Sequence, residues 1–215
     1  MRKRLIPCIF LKNGMIVRSE DFKIHQIIGN PINQVKRFSD WAVDEIIYID
    51  ISELNEYDSR RDDHKIKISN NKLDLLSEIS KNIFVPLAFG GGIRTIDDIQ
   101  SMLQMGADKV VLNSGMFFDN SLLIRAVEIF GSQALVACVD YKDNFVYFEH
   151  GKNRSEYTVS QWCDILEKDG IGEILLNDIS RDGTSTGYDL KTISMVVNKV
   201  NIPVIALGGA GDYYD

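Results

Sequence analysis

Ala88-Phe89-Gly90-Gly91-Gly92-Ile93-Arg94-Thr95 decides how this chain is read. An apolar run, Ile83 to Phe89, leads into the three glycines. Thr95, Asp97, Asp98, Ile99, Met102 and Leu103 follow with helical spacing. The pattern is strand, glycine turn, helix. Glycines let the backbone approach a ligand closely, and their N–H groups bind anions, helped by the helix start beyond. A phosphate is the expected guest. An isolated turn of this kind is more often a plain strand-to-helix connection. Here it has an echo, Pro203-Val204-Ile205-Ala206-Leu207-Gly208-Gly209-Ala210-Gly211.

Outward from that turn, short apolar runs alternate with helical patterns. Strands are expected over Leu5–Leu11, Glu45–Ile51, Phe84–Phe89, Lys109–Leu112, Ala134–Val139, Glu173–Leu176 and Pro203–Leu207. Helices are expected from Asn30-Pro31 through Trp41, over Leu73–Ile79, after Thr95, and over Ser121–Phe130, Gln161–Asp169 and Asp189–Lys199. Val17–Ile28 reads as a mixed connection, charge-dense Asn55–Asn71 as a mobile surface loop, and Asn144–Tyr157 as a hairpin excursion. Apolar strands separated by helices predict parallel β-α units, in an open sheet or a closed barrel.

An internal repeat selects the barrel. Ile6–Lys12 aligns with Val136–Lys142, Asp44–Ser52 with Gly172–Ser180, and the turn at 90–92 with that at 208–211. Strands one to three thus match five to seven. The expected fold is α/β, a (β/α)8 TIM barrel of two repeated half-barrels, about 1–130 and 131–215, within one domain. Strand four has no counterpart before Asp215. The reading therefore expects a C-terminally incomplete barrel, without strand eight and the last two helices.

Composition excludes several classes. The chain has 215 residues, 45% hydrophobic and 26% charged, enough for a sizeable core. A net charge of -7 argues against a nucleic-acid partner and against a basic membrane patch. Cys8, Cys138 and Cys163 lie far apart, with no C-x-x-C pair. No disulfide framework, metal site or cofactor is expected, and a reducing cytoplasm fits. No stretch is long and apolar enough to span a membrane.

Barrel enzymes carry their chemistry at the C-terminal ends of the strands. Phe10, Asp50, Gly90 to Gly92, Asn113, Ser114, Asp140, Asp178, Gly208 and Gly209 fall there, and Arg181-Asp182-Gly183-Thr184 follows strand six. Two glycine turns predict two anion sites. Asp140 is placed to act as acid or base, or simply to cap its turn. Arg4, Glu45, Lys109 and Glu173 fall at strand starts. Arg4 shares parity with Phe10, Lys109 with Asn113 and Glu173 with Asn177, which turns the charged four toward the barrel floor. They form either a stabilising salt-bridge layer or a gate across an axial passage.

Further motifs complete the pattern: Ile6-Pro7-Cys8, Gly106-Ala107-Asp108-Lys109-Val110, Phe130-Gly131-Ser132-Gln133, Gly172-Glu173-Ile174-Leu175-Leu176, Arg181-Asp182-Gly183-Thr184 and Gly187-Tyr188-Asp189. With the two glycine turns they make the chain resemble, along essentially its whole length, the cyclase subunit of imidazole glycerol phosphate synthase, the HisF family. The resemblance implies a (β/α)8 barrel with a glutaminase (HisH-like) partner docked on its floor. Ammonia then passes a gate of Arg4, Glu45, Lys109 and Glu173. It implies one phosphate at Gly91, Gly92, Asn113 and Ser114, and another at Asp182, Gly183, Gly208 and Gly209. It makes Asp140 one of two catalytic strand-end aspartates.

The chain departs from that pattern at the other aspartate, which is Phe10, and at Ser180, where the family has Asp. Phenylalanine transfers no proton, and losing one member of an acid–base pair costs about 10²–10⁴-fold in rate. Phe10 together with Lys12-Asn13-Gly14, Pro31-Ile32-Asn33 and Pro86-Leu87-Ala88-Phe89-Gly90 is similar to the HisF-like branch of surface-polysaccharide loci. That branch is thought to turn a sugar's acetamido group into an acetamidino group. The resemblance then implies a phosphorylated small molecule or nucleotide-sugar as substrate. A genuine cyclase, with Asp140 or Asp50 covering the missing role, and a non-catalytic glutaminase-activating scaffold are the alternatives.

Overall fold

The computed structural model describes residues 3–20, 24–41, 43–53, 56–57 and 69–212. Most of the expected surface loop, Asn55–Asn71, lies outside the described residues. Two compact units are distinguished. One comprises Met1–Arg18, Gln26–Gly92 and Asp97–Val110, the other Ser19–His25, Ile93–Ile96 and Val111–Asp215.

The first unit is built on β1 (Cys8–Lys12), most of β2 (Met15–Glu20) and of β3 (Ile24–Gly29), α1 (Pro31–Asp40), β4 (Ile46–Asp50), α2 (Lys72–Ser80) and β5 (Leu87–Gly90), with most of α3 (Ile96–Gln104). β1 pairs in parallel with β4, and β4 with β5. Ile46, Ile47 and Tyr48 are fully buried, as a parallel strand covered on both faces requires. Pro31 opens α1, where its missing N–H costs nothing. Asn30 Oδ1 caps the same helix, accepting from the N–H of Ile32 (2.9 Å) and Asn33 (3.3 Å). The Tyr48 hydroxyl donates to the Pro31 carbonyl at 3.1 Å, which fixes the start of α1 against β4.

β6 (Lys109–Leu112) is divided between the units. The second continues with α4 (Gly115–Phe118), α5 (Leu122–Phe130), a 3-10 turn at Ser132–Ala134, β7 (Leu135–Lys142), β8 (Phe145–Phe148) and β9 (Asn153–Thr158). Then come α6 (Val159–Lys168), β10 (Glu173–Asp178), α7 (Leu190–Val197) and β11 (Val204–Leu207). β7, β10 and β11 are parallel neighbours. Every residue of β10 is buried. Thr158 and Gln161 form a capping box at the start of α6, and Asp189 caps α7.

The repeat is carried by the ladders as well as by the sequence. Phe10 pairs with Ile49 and its counterpart Asp140 with Asn177. Phe10 also faces Val17 in an antiparallel hairpin, and Asp140 faces Tyr147, seven residues on in each case. Both hairpins turn on two residues with positive φ, Asn13-Gly14 and Asp143-Asn144. That is the pairing which matches the twist of the flanking strands. These repeated strand–helix units are those of a (β/α)8 barrel.

Four expectations are corrected. Val17–Ile28 is not a mixed connection: it carries most of β2 and most of β3. Asn13-Gly14 between apolar runs was the signal for that hairpin. The first strand starts at Cys8 rather than Leu5, so Arg4 precedes it. β7 runs on to Lys142, because its hairpin with β8 extends the ladder past Asp140. The short helix α4 was not expected, being only four residues long.

Two glycines set the strand spacing at the site. A Cβ on Gly91 (φ +122°) would overlap the Asp50 carbonyl oxygen, and one on Gly208 (φ +91°) the Asp178 carbonyl oxygen. Gly208→Ala should therefore destabilise the protein by at least about 2 kcal/mol in urea unfolding. Gly29→Ala, where an added Cβ meets nothing within 4 Å, should stay within about 0.5 kcal/mol of wild type.

Candidate active site

Asp140 is the centre of a buried polar cluster in the second unit. It is 6% exposed on β7, and its ladder neighbour Asn177 on β10 is 1% exposed. Asn177 Nδ2 donates to Asp140 Oδ1 at 2.7 Å, and Asn113 Nδ2 donates to Oδ2 at 2.9 Å. The Cys138 thiol adds a longer bond of 3.6 Å to Oδ1. Burial raises the Asp140 carboxyl above its ordinary range, while the amides, the thiol and the charge of His150 pull it back. The amide oxygens of Asn113 and Asn177 are buried and accept from no partner among the described residues. A carboxyl and two open carbonyl acceptors thus lie together, which is a setting for a group rich in N–H.

The other two strand-end aspartates are structural. Asp50 Oδ1 accepts from the backbone N–H (2.9 Å) and the hydroxyl (2.5 Å) of Ser52, and Oδ2 from the Tyr57 hydroxyl (2.7 Å). Asp178 Oδ1 takes the same two bonds from Ser180, at 3.0 and 2.6 Å. Both close the turn that follows their strand. Both carboxylate oxygens of Asp50 are thus engaged, by Ser52 and by Tyr57. Ser180, which departs from the resembled pattern, acts locally, its hydroxyl holding the Asp178 carboxylate.

Each glycine turn has a cation beside it. Lys72, the first residue of α2, donates its Nζ to the Gly91 carbonyl at 3.1 Å, and a Cβ on Gly92 would lie 3.2 Å from that Nζ. In the second unit Arg181 donates to the Gly187 carbonyl at 3.1 Å, and its Cβ would lie 3.2 Å from a Cβ on Gly209. The Gly187 N–H in turn donates to the Gly209 carbonyl at 2.8 Å. Sequence reading missed Lys72 because nothing in the local pattern links α2 to a turn nineteen residues on. It missed Asn177 and Cys138 because only the ladder and the pleat bring them to Asp140.

The remaining expected ligands separate by role. Asn113, expected on a phosphate, directs its side-chain Nδ2 to Asp140. Ser114 Oγ accepts from the Glu149 N–H at 2.9 Å. Gly183 (φ +74°) packs on the Ser19 carbonyl, where a Cβ would come to 2.6 Å. The Asp182 carboxyl beside it is pushed up to about 6 by burial and by the negative charge of Asp140, against the Gly183 N–H. When ionised, the Asp182 carboxylate repels a nearby anion, and the charge of Asp140 favours its neutral form.

Of the four charged residues at the strand starts, three meet within the first unit. Glu45, 2% exposed, accepts from Arg4 Nη1 at 3.0 Å and from Lys109 Nζ at 2.9 and 2.8 Å. Glu173, in the second unit, is buried at the first position of β10. Among the described residues no His, Cys, Asp and Glu group has the makings of a metal site, and no helix is long and apolar enough to cross a membrane.

Two outcomes are expected. Lys109→Met leaves the buried Glu45 with one fewer cation and should cost about 3 kcal/mol in denaturant unfolding. Asp182 has a folded pKa above its unfolded value, so its contribution to stability is fully present below about pH 4 and is lost as pH rises through about 6. The stability of wild type relative to Asp182→Asn should fall over that window by about 2–3 kcal/mol and be flat above it, as read by urea midpoints across pH.

Comparison with known proteins identifies the family. Residues 4–215 match the family described as "Histidine biosynthesis protein". The imidazole glycerol phosphate synthase subunit HisF of Hydrogenobaculum sp. (strain Y04AAS1) is 38% identical over 98% of this chain and 81% of its own length. A Pseudomonas aeruginosa protein, provisionally named imidazole glycerol phosphate synthase subunit hisF2, is 34% identical over the whole chain and 83% of its own length. The HisF subunit of Exiguobacterium sp. is 35% identical over 99% of the chain and 80% of its own length. With a family match over nearly all its residues and relatives above one-third identity, this chain belongs to the HisF family of synthase subunits.

Proposed function

We propose that this chain is the ammonia-using subunit of a complex that modifies a phosphorylated ligand, a nucleotide-sugar whose acetamido group becomes an acetamidino group for a surface polysaccharide. A glutaminase on the barrel floor supplies ammonia past Arg4, Glu45, Lys109 and Glu173, and an amidotransferase works alongside. The observation that carries the reading is the pair of buried amide oxygens on Asn113 and Asn177, open beside Asp140. Ammonia offers the N–H donors that these acceptors want. Nitrogen adds to the acetamido carbonyl carbon, and the oxygen leaves as water. Asp140 takes the proton from the attacking nitrogen and returns one to the departing oxygen.

Gly91, Gly92 and Ser114, with Lys72, hold one phosphate in this reading. Gly183, Gly208 and Gly209, with Arg181, hold the other, and Asp182 exchanges protons near Asp140. Phe10 in place of a second aspartate speaks for this chemistry over cyclisation. The names of the relatives favour a second reading, a genuine imidazole glycerol phosphate synthase cyclase.

Purified full chain, given an ammonium salt and each substrate class in turn, separates the two. With its amidotransferase partner it should convert the acetamido nucleotide-sugar, and Asp140→Asn should lower that rate by about 10²–10⁴-fold. It should form no imidazole product at an ordinary turnover rate, while Phe10→Asp should gain some. Ordinary cyclase turnover by wild type overturns the sugar reading. Stimulation of the glutaminase with neither product formed makes the chain a scaffold.

A further inference from the structure

We infer that His150 is a second proton-transfer residue of the Asp140 site, an assignment that rests on the reading that ammonia reacts beside Asp140. The turn that carries His150 is fixed by contacts on both sides of that carboxyl, all within the second unit. Glu149, His150, Gly151 and Lys152 join β8 to β9, and the Lys152 N–H donates to the Glu149 carbonyl at 3.2 Å. On one side the Glu149 N–H donates to Ser114 Oγ at 2.9 Å. Ser114 follows Asn113, whose amide holds Asp140 Oδ2. On the other side a Cβ on Gly151 would lie 3.0 Å from Ile179 Cδ1. Ile179 lies two residues past Asn177, whose amide holds Asp140 Oδ1. Phe148, the last residue of β8, stacks on Phe117 of α4 at 4.7 Å. The turn thus reaches from the loop after β6 to the loop after β10, the two strand ends whose amides grip Asp140.

Three observations turn that placement into chemistry. His150 is exposed, so a ligand at the site can reach its ring. Its charge bears on the Asp140 carboxyl and draws it down against burial. Its backbone is unusual: Glu149, His150 and Gly151 have φ of 51°, 60° and 73°. Such backbone is sparsely populated by side-chain-bearing residues and gathers at functional sites. A two-residue turn with both φ positive favours Asn-Gly, so histidine is not what the turn itself calls for. The other charged groups around it are Asp182, on the loop after β10, and Lys152 and Glu149 in the turn, the last accepting from the Asn153 amide. Imidazole, unlike these, is the side chain that ordinarily both gives and takes a proton near neutrality. Two protons leave the nitrogen that adds to the acetamido carbon, and both depart with the oxygen as water. Asp140 takes each from the nitrogen and the imidazolium gives each to the oxygen. The Asp140 carboxyl returns its proton to the imidazole each time, so neither residue is consumed.

The full chain, with its amidotransferase partner and an ammonium salt, is given the acetamido nucleotide-sugar and, separately, the cyclase substrate. His150→Asn supplies the Asn-Gly pair such turns favour, so its urea midpoint should equal or exceed that of wild type. Its kcat should fall by about 10²-fold or more with KM little changed. His150→Gly should lose as much, and free imidazole should recover about tenfold or more of that loss while leaving wild type unaffected. In His150→Asn the Asp140 ¹³C carboxyl resonance should titrate at higher pH than in wild type, because a positive charge beside it is gone. Product formed by His150→Asn at the wild-type rate overturns this assignment alone. So does a loss in His150→Gly that imidazole does not relieve, or an Asp140 titration that His150→Asn leaves unchanged. If wild type forms only the imidazole product, the sugar reading falls and the same variants decide His150 on that reaction. No product from wild type with either substrate overturns both.

Discussion

The carbonyl oxygens of Asp50 and Asp178 occupy the space that a side chain would need at Gly91 and Gly208. This close backbone approach recurs at the same register in both units. It brings the turn after β5 against the end of β4, and the turn after β11 against the end of β10. Only glycine allows it, because both positions are also at positive φ. The aspartates that lend the carbonyls are held in turn by Ser52 and Ser180, through matching pairs of bonds to one carboxylate oxygen. Strand end, serine-closed turn and glycine cradle thus form one structural unit, used twice. The phosphate-binding potential of the glycine turns depends on that packing.

On this repeated frame the chemistry is unequal. The position beside β4 and β1 is an apolar pair, Phe10 with Ile49, whereas its counterpart is Asp140 with Asn177. Identical ladders therefore present a hydrocarbon surface in one half and a hydrogen-bonded carboxyl in the other. Burial alone would push the Asp140 carboxyl far toward its neutral form, and the amides of Asn113 and Asn177 oppose this. Burial and hydrogen bonding thus pull the Asp140 carboxyl in opposite directions, with burial the larger. Asp182, raised to about 6 by the same burial and by Asp140 itself, adds a second titrating group to that environment.

The net charge is -7, yet a cation lies near each glycine turn: Lys72 donates to the Gly91 carbonyl, and Arg181 donates to the Gly187 carbonyl while pairing with Asp178 at 3.3 Å. At the strand starts, Glu45 is nearly without solvent and is held by Arg4 and Lys109. Charges buried in this way persist only when paired, since an unpaired one costs several kcal/mol. Such a cluster stabilises the fold whether or not ammonia passes it.

The sequence by itself determined what is local or periodic. Strand and helix types, the glycine turns, the repeat and the place of Asp140 on a strand are all written in runs of a few residues, because pleat, helix period and φ preference act at that range. Asn13-Gly14 was legible too, as a hairpin signal that the reading passed over. Contacts between distant residues came only with the tertiary structure. The ladder register set Asn177 against Asp140, packing brought Asn113 onto the same carboxyl, and α2 carried Lys72 to Gly91. Asp50 and Asp140 look alike in sequence, each an aspartate closing an apolar strand. Their surroundings separate them: Ser52 and Tyr57 saturate one, while the other is left beside two open amide oxygens. A residue's role in proton chemistry depends on which dipoles face it and how little water does, and both are properties of the folded chain.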